Sequence, residues 1–540
     1  MPTADRPRFE RADALHRLGN TDFDLLVVGG GITGAGVALD AASRGLRTAL
    51  VERHDFASGT SSRSSKLVHG GLRYLDQHEF RLVYEGLAER QRMLENAPHL
   101  VRVLPFLVPI LTSGGRVDRR LAPVLGSALW MYDLTGGLRI GKRHHRVRVD
   151  DALARFPTLN RDRLAGAYLY YDAHADDARL TLAIARTAVA HGAVALNYAE
   201  VVSFERHGSR VVGARIRAGH DELTVRARAV VNATGVWGDD VRALDEGVHP
   251  ASIRPAKGVH ITVPWELVRN DVAAIVPSAR DDRSVFVIPW DGHTYVGTTD
   301  TEYDGSLDDP QCTETDAAYL LDALNGITNV GAEPADIVGS WAGLRPLLAT
   351  ARRARTADLS RRHAVRVAPS GVVTVTGGKL TTYRRMAADA VDAAVRVLGD
   401  TGSPFRHGAG AQSATRHLRL FGGDGIEPGA AGVDHLTGRY GTESAAVRAL
   451  VDADPALGEP LVRGLAYLRA EAVYAVRHEM ALTLDDVLAR RTRARVLSRS
   501  ASADAAPAVA ELLAPELGWS DSEREREVCA YTQAVAAELV

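Results

Sequence analysis

The chain has 540 residues, 46% of them hydrophobic and 24% charged, with a net charge of −2. This is globular composition, long enough for two or three domains, and it lacks the basic excess of a nucleic-acid binder. Two cysteines, Cys312 and Cys529, stand in no metal or redox spacing, and no run of about 18 apolar residues offers a membrane-crossing helix.

Residues 1–21 carry Asp5, Glu10 and Asp13 without an apolar core, so they read as a polar extension and not as a signal or transit peptide. Residues 24–28 read as a buried strand, residues 34–43 as a helix ended by Gly45, and residues 47–51 as a second strand, a βαβ opening. A Gly/Ser/Thr loop over 58–65 leads to His69-Gly70-Gly71-Leu72-Arg73-Tyr74, followed by a helix over 79–95. Residues 100–150 mix prolines with apolar clusters and give no clear period. Residues 180–190 read as a helix and 195–231 as a small β-meander that ends at Ala233-Thr234-Gly235. Strands at 253–264, 285–288 and 295–299 form a second sheet, while 337–341 and 372–376 return to the first. A helix follows from about Leu380 to Leu398, then a Gly/Ser/Pro linker, then a strand-poor, helical terminal domain.

Gly29-x-Gly31-x-x-Gly34 between strand and helix is a dinucleotide fingerprint: one glycine for the turn, one for approach of a pyrophosphate, one for helix packing. Glu52, about twenty residues on, suits ribose hydroxyls and disfavours the 2′-phosphate of NADP. The fingerprint leaves NAD and FAD open. The return of the strand before Ala233-Thr234-Gly235, about 200 residues later, suits FAD in a domain interrupted by a substrate domain.

Only four lysines occur among 65 basic residues, and Lys66, Lys257 and Lys379 lie beside glycines or in glycine-rich runs. These three are candidates for roles that arginine cannot fill. Gly377-Gly378-Lys379 breaks a strand ahead of a helix, a place where amides and a helix N-terminus approach an anion. Arg73, Tyr74, Arg345, Arg361 and Lys379 form a candidate set around an anionic substrate, and Arg345 sits in a mostly apolar run where an unpaired charge is costly. His69 and His260 are candidate bases or core histidines. No metal cluster and no Gly-x-Ser-x-Gly elbow are present.

Several runs together resemble the FAD-dependent glycerol-3-phosphate dehydrogenase family: Gly29-Gly30-Gly31-Ile32-Thr33-Gly34, Ser64-Ser65-Lys66-Leu67-Val68-His69-Gly70-Gly71-Leu72-Arg73-Tyr74, Asp176-Asp177-Ala178-Arg179-Leu180, Gly343-Leu344-Arg345-Pro346, Gly377-Gly378-Lys379-Leu380-Thr381 and His478-Glu479-Met480-Ala481. The family often has alanine where Arg63 stands and tryptophan where Met480 stands. The resemblance implies an α/β fold: an FAD-binding Rossmann-like domain interrupted by an antiparallel-sheet substrate domain, plus a C-terminal all-α domain. The expected division is 22–80, 150–240 and 337–398 for the FAD domain, 81–149 and 241–336 for the substrate domain, a linker at 399–415 and helices over 416–540.

The resemblance further implies oxidation of sn-glycerol 3-phosphate to dihydroxyacetone phosphate by hydride transfer to non-covalent FAD, with electrons passed to a quinone. His260 is then the base, with Arg345 and Lys379 as catalytic cations. The cofactor would lie among Gly29, Gly31, Gly34, Glu52, Thr60, Ser61, Ser65, Lys66, His69, Gly70, Ala233, Thr234, Gly235, Gly378, Lys379, Leu380 and Thr381. A homodimer at the inner face of the cell membrane is expected, docking through apolar residues 104–111 and 129–132 and the basic run Lys142-Arg143-His144-His145-Arg146. The competing readings are a glycerol-3-phosphate oxidase that reduces O2 to H2O2, an amine or amino-acid oxidase, and a non-catalytic flavin-binding protein.

Overall fold

The computed structural model describes residues 9–72, 79–112, 122–278, 280, 281, 283–349, 363–399, 412–429, 434–538 and 540. Its first sheet has the order Ala364–Val367, Val373–Thr376, Asp221–Asn232, Asp22–Val28, Thr48–Val51, Val194–Leu196. Asp22–Val28 runs parallel to both neighbours. Its run Leu25-Leu26-Val27-Val28 is buried, as a strand covered on both faces requires. Arg210–Ala218 and Glu200–His207 extend the sheet antiparallel as the meander.

Helix Ile32–Ser43 packs against helices Asp177–Ala190 and Tyr383–Gly399. The approach is close because Gly36 has no side chain: a Cβ there would lie 2.9 Å from the Tyr383 ring.

The second, larger sheet is mainly antiparallel. Ile253–Pro264 lies between His293–Gly297 and Gly339–Leu348, and Val101–Leu111 lies between Ala273–Pro277 and Leu164–Ala175. Two expectations change here. Residues 337–341 do not return to the first sheet, since Gly339–Leu348 pairs along its whole length with Ile253–Pro264. Leu164–Ala175 likewise joins the second sheet, although it falls in the block 150–240 expected for the first. An apolar period reports burial but not which sheet does the burying. Val101–Leu111 is an 11-residue strand in the segment that read poorly. Its parallel neighbour reaches only Phe106 and Leu107, so Pro105 and Pro109 stay outside that ladder.

The C-terminal helices include Arg469–Glu479, Arg499–Leu517 and Asp521–Ala536. They share one core with the second sheet, where Leu484, Val487, Leu497 and Leu513 cluster with Phe106, Ile288, Tyr295 and Trp341. The helical C-terminal region thus packs its apolar face against the second sheet and closes that core.

Buried ion pairs also tie the C-terminal region to the first sheet's side. Arg179 meets Glu479 at 2.7 Å, and Asp55 accepts from Arg490 at 2.7 Å and from Arg491 at 2.6 Å. Burial alone would raise the Asp55 carboxyl, but Arg491 and Arg490 hold it below its ordinary value. Removing one partner of such a pair strands buried charge, at roughly 3–5 kcal/mol. Asp55→Ala should therefore lower the unfolding free energy by an amount in that range, read as a lower urea midpoint at unchanged slope, and open the C-terminal helices to protease. Glu222→Ala, which breaks a solvent-exposed pair with Arg215, should leave the midpoint unchanged.

Candidate active site

A groove of about 460 Å³ runs along the carboxyl ends of the first sheet's parallel strands, where open α/β sheets bind ligands. The glycine turn forms its floor. Gly29 has φ 108°, and a Cβ on it would meet the Ala233 carbonyl at 2.7 Å. A Cβ on Gly34 would sit 1.8 Å from the Gly29 carbonyl, so Gly34 permits the packing of turn on helix and does not line the groove. The Ser61 hydroxyl accepts from the Ile32 amide at 2.8 Å, and the Glu52 carboxylate accepts from the amides of Gly30 and His54 at 2.6 and 2.9 Å. Burial raises the Glu52 carboxyl while those two amides pull it down.

Gly29, Gly31, Glu52, Thr60, Ser61, Ala233, Thr234 and Gly235 line the groove, as do Gly378, Lys379 and Leu380. Gly377 and Gly378 have φ 78° and 83°, and a Cβ on Gly378 would strike Met386 at 2.4 Å. Lys379 caps the 3₁₀ turn Leu380–Thr382, and the α-helix itself starts at Tyr383, later than the expected Leu380. The remaining candidates, Ser65, Lys66, His69, Gly70 and Thr381, lie outside the groove wall. The His69 amide donates to the Thr381 hydroxyl at 3.1 Å, which joins the two segments, and the Gly70 amide donates to Tyr132 at 3.0 Å. Tyr132 in turn donates to Asp172 at 2.6 Å, and Asp172 pairs with Arg90.

Lys66 is 2% exposed and turned away from the groove. Its ammonium donates to Asp177 at 3.1 Å and lies 4.4 Å over the Trp341 ring. Burial, with Arg493 beside it, pushes Lys66 down to about 8. Asp177 also accepts from the Ser64 amide and hydroxyl, at 2.9 and 2.7 Å, and from Arg493 at 3.0 Å. Arg493 donates to the Ser62 carbonyl at 2.6 Å and Trp341 to the Ser64 carbonyl at 3.1 Å, so the 62–66 loop is tied on every side.

The second sheet presents one face to this loop. Register places His260 opposite both Trp341 and Gly297, and Arg345 opposite Ala256. His260, Gly258, Trp341, Gly343 and Arg345 therefore share that face. Three glycines clear it: a Cβ on Gly297 would strike the His260 ring at 2.0 Å, one on Gly258 would meet Arg345 Nη2 at 2.5 Å, and one on Gly343 would meet the Arg63 carbonyl at 2.5 Å. Arg345 was expected in an apolar setting, but it pairs with Asp300 at 3.3 Å and donates to Thr298 Oγ1 at 3.1 Å and to the Thr299 carbonyl at 3.3 Å. Lys257 points to the opposite face and pairs with Asp316 at 2.7 Å, a structural role.

A family model described as FAD dependent oxidoreductase matches residues 24–384, and one described as the C-terminal domain of alpha-glycerophosphate oxidase matches residues 408–524. Glycerol-3-phosphate dehydrogenase 2 of Mycobacterium tuberculosis (strain ATCC 25618 / H37Rv) is 43% identical, across 100% of this chain and 92% of its own length. The mitochondrial glycerol-3-phosphate dehydrogenase of Rattus norvegicus is 38% identical, across 100% and 76%. The chain belongs to the FAD-dependent glycerol-3-phosphate dehydrogenase family. The solved structure of a Bacillus halodurans glycerol-3-phosphate dehydrogenase complexed with FAD superposes with a TM-score of 0.78 at 31% identity, covering 99% of this chain and 98% of that one.

FAD is accordingly the cofactor, and the residues present fit it: a glycine cradle that any Cβ would fill, a carboxylate at the ribose position and a groove continuing to a second glycine turn. Arg73, Tyr74 and Arg361, expected around the substrate, lie outside the described residues. Asp177, Arg493, Asp172 and Tyr132 were not foreseen. Asp177 stands in the run Asp176–Leu180 that carries part of the resemblance, but no role attached to it there; its neighbour Asp176 caps the helix through the amides of Ala178 and Arg179.

Buried histidines, His260 and His99 among them, should make the molecule acid-sensitive. Burial, then Lys66 and Arg345, hold His260 well below its ordinary value, and burial, then Arg179, pushes His99 down to about 3. Both are neutral when folded, while the unfolded chain takes up protons below about pH 6.5. Stability from this source is complete above that pH and falls as pH drops, by ~1.4 kcal/mol per unit for each histidine. The thermal midpoint should fall between pH 7 and pH 4.5, and His99→Gln should lose less over that interval than the wild type.

Proposed function

We propose that the chain oxidises sn-glycerol 3-phosphate at C2 to dihydroxyacetone phosphate and passes the electrons to a membrane quinone. The observation that carries this reading is the meeting of Arg345 and His260 over Gly297 and Thr298, with Pro346 beside Arg345 lining the cofactor groove. Bound FAD supplies the two-electron acceptor. Gly29, Gly31, Glu52, Thr60 and Ser61 would hold its adenosine and diphosphate half, and Gly378, Lys379 and Leu380 its far end.

Arg345 is fixed in one orientation by Asp300, Thr298 and Thr299, and such a guanidinium suits a phosphate. Lys379, with Arg73, Tyr74 and Arg361, completes the anion set in this reading. Held neutral by its surroundings, His260 can accept the C2 hydroxyl proton. Losing one charge-assisted bond to phosphate is worth roughly 1.5–3 kcal/mol, about ten- to hundredfold in kcat/KM. Arg345→Met should show that loss with glycerol 3-phosphate and a much smaller one with glycerol. Equal losses would place Arg345 at the reacting carbon.

An exposed apolar patch supports a peripheral membrane partner. Helices Phe80–Asn96 and Ala122–Leu134 expose Phe80, Tyr84, Val124, Trp130, Met131 and Leu134, and Arg139 and Arg143 stack on Tyr84 and Trp130. Residues 104–111, expected to insert, are almost wholly buried in their strand, and no helix among the described residues is long and apolar enough to cross a membrane. Lys142, Arg143 and Arg146 are exposed nearby and would attract anionic headgroups at about 1 kcal/mol each. Neutralising all three should weaken binding to phosphatidylserine vesicles and leave dye-linked activity intact. Unchanged binding would remove this surface from the account.

The match to a domain of alpha-glycerophosphate oxidase favours one second reading, with oxygen as acceptor. Anaerobic reduction of the holoenzyme by glycerol 3-phosphate, followed by reoxidation with quinone or with air, separates the two. Fast reoxidation by quinone and slow reoxidation by air is the expected result, and the reverse order would favour the oxidase.

A further inference from the structure

His260 is fixed on three sides. Its ring stacks on Trp341 with centroids 4.8 Å apart and planes within 9°, stands edge-on to Tyr295, and lies against the bare backbone of Gly297. Its one hydrogen-bond partner among the described residues is the Ser65 hydroxyl, 2.8 Å from Nε2, and Nδ1 has none.

Ser65 is held as firmly as the ring. The Tyr295 hydroxyl donates to its carbonyl at 2.9 Å. Lys66, the next residue, adopts φ 55°, a conformation that a lysine keeps only when its surroundings impose it. Those surroundings are Asp177 and the Trp341 ring. The buried Asp177 network therefore sets where the Ser65 oxygen stands.

We propose that Ser65 is a positioning residue that holds His260 and supports its protonated form. The proposal rests on the reading of His260 as the base. In that step the C2–H bond breaks and its electron pair leaves with the hydrogen as hydride to FAD, the C2–O bond becomes a carbonyl, and the hydroxyl proton passes to Nδ1 of an imidazole whose Nε2 faces Ser65. An imidazolium carries N–H on both nitrogens, so Nε2 must then donate. The Ser65 oxygen accepts that bond in a site where burial, Lys66 and Arg345 all oppose the charge. Ser65 thus acts through His260 and not through the cofactor, for which the sequence had marked it.

The test compares wild-type, Ser65→Ala and Ser65→Thr holoenzymes, with FAD per chain measured for each. Ser65→Ala should lower kcat about ten- to hundredfold, the size of a charge-assisted bond, and leave both KM for glycerol 3-phosphate and FAD content near wild type. Its acid limb of kcat should move to lower pH, because an imidazolium without its acceptor forms less readily. Ser65→Thr keeps the hydroxyl and should recover most of kcat. A wild-type kcat in Ser65→Ala overturns the proposal. FAD loss in step with activity also overturns it and places Ser65 at the cofactor. Equal impairment of both variants with an unmoved acid limb overturns it in favour of a purely structural role. A wild-type holoenzyme that glycerol 3-phosphate does not reduce overturns the parent reading, and this one with it.

Discussion

The buried carboxylate of Asp177 is the interaction on which the rest of the site depends. It accepts from Lys66, Arg493, the Ser64 hydroxyl and the amides of Ser64 and Ala178. A charge taken out of water is tolerated only when paired and hydrogen-bonded, and Asp177 is satisfied only if three distant stretches meet. These are the 62–66 loop, the start of helix Asp177–Ala190 and the segment around Arg493. Lys66 gains further from lying over the Trp341 and Trp290 rings, at 4.4 and 5.1 Å. The loop's conformation, including the left-handed Lys66, follows from this pairing.

The C-terminal helices therefore belong to the site's scaffold. Arg493 reaches the Ser62 carbonyl, while Arg490 and Arg491 reach Asp55 shortly after the second parallel strand. On the opposite side, the glycine-cleared face of the second sheet lets the Arg63 carbonyl, the His260 ring and the Arg345 guanidinium lie almost flat against backbone. Loop and sheet face fix each other, which gives a reacting group the precise support that catalysis needs.

Local rules made part of this legible in the sequence. The glycine turn, Glu52 and the break at Gly377-Gly378 depend on residues close in the chain, and the structure places them along one groove. The fold class was legible too, because runs of apolar strands and a helical tail survive without tertiary knowledge. The strand expected at 337–341 in the first sheet belongs to the second, because periodicity carries no information on strand partners. Lys66 and Lys379 both stand near glycines, and spacing alone could not distinguish a lysine in the groove wall from one buried on a carboxylate 111 positions away. The linker expected at 399–415 sets a terminal unit apart, but the ion pairs that hold that unit to the rest of the chain span 300 to 436 positions and leave no local signal.

Hydrogen exchange on Asp177→Asn, against the wild type, tests most directly whether this carboxylate organises the site. The neutral amide cannot compensate both Lys66 and Arg493, so exchange should rise together in peptides covering residues 60–72 and 490–497. The strand Asp22–Val28 should stay protected. Unchanged protection over 60–72 in a folded Asp177→Asn protein would contradict the account, because the loop would then hold its shape without the charge assigned to hold it.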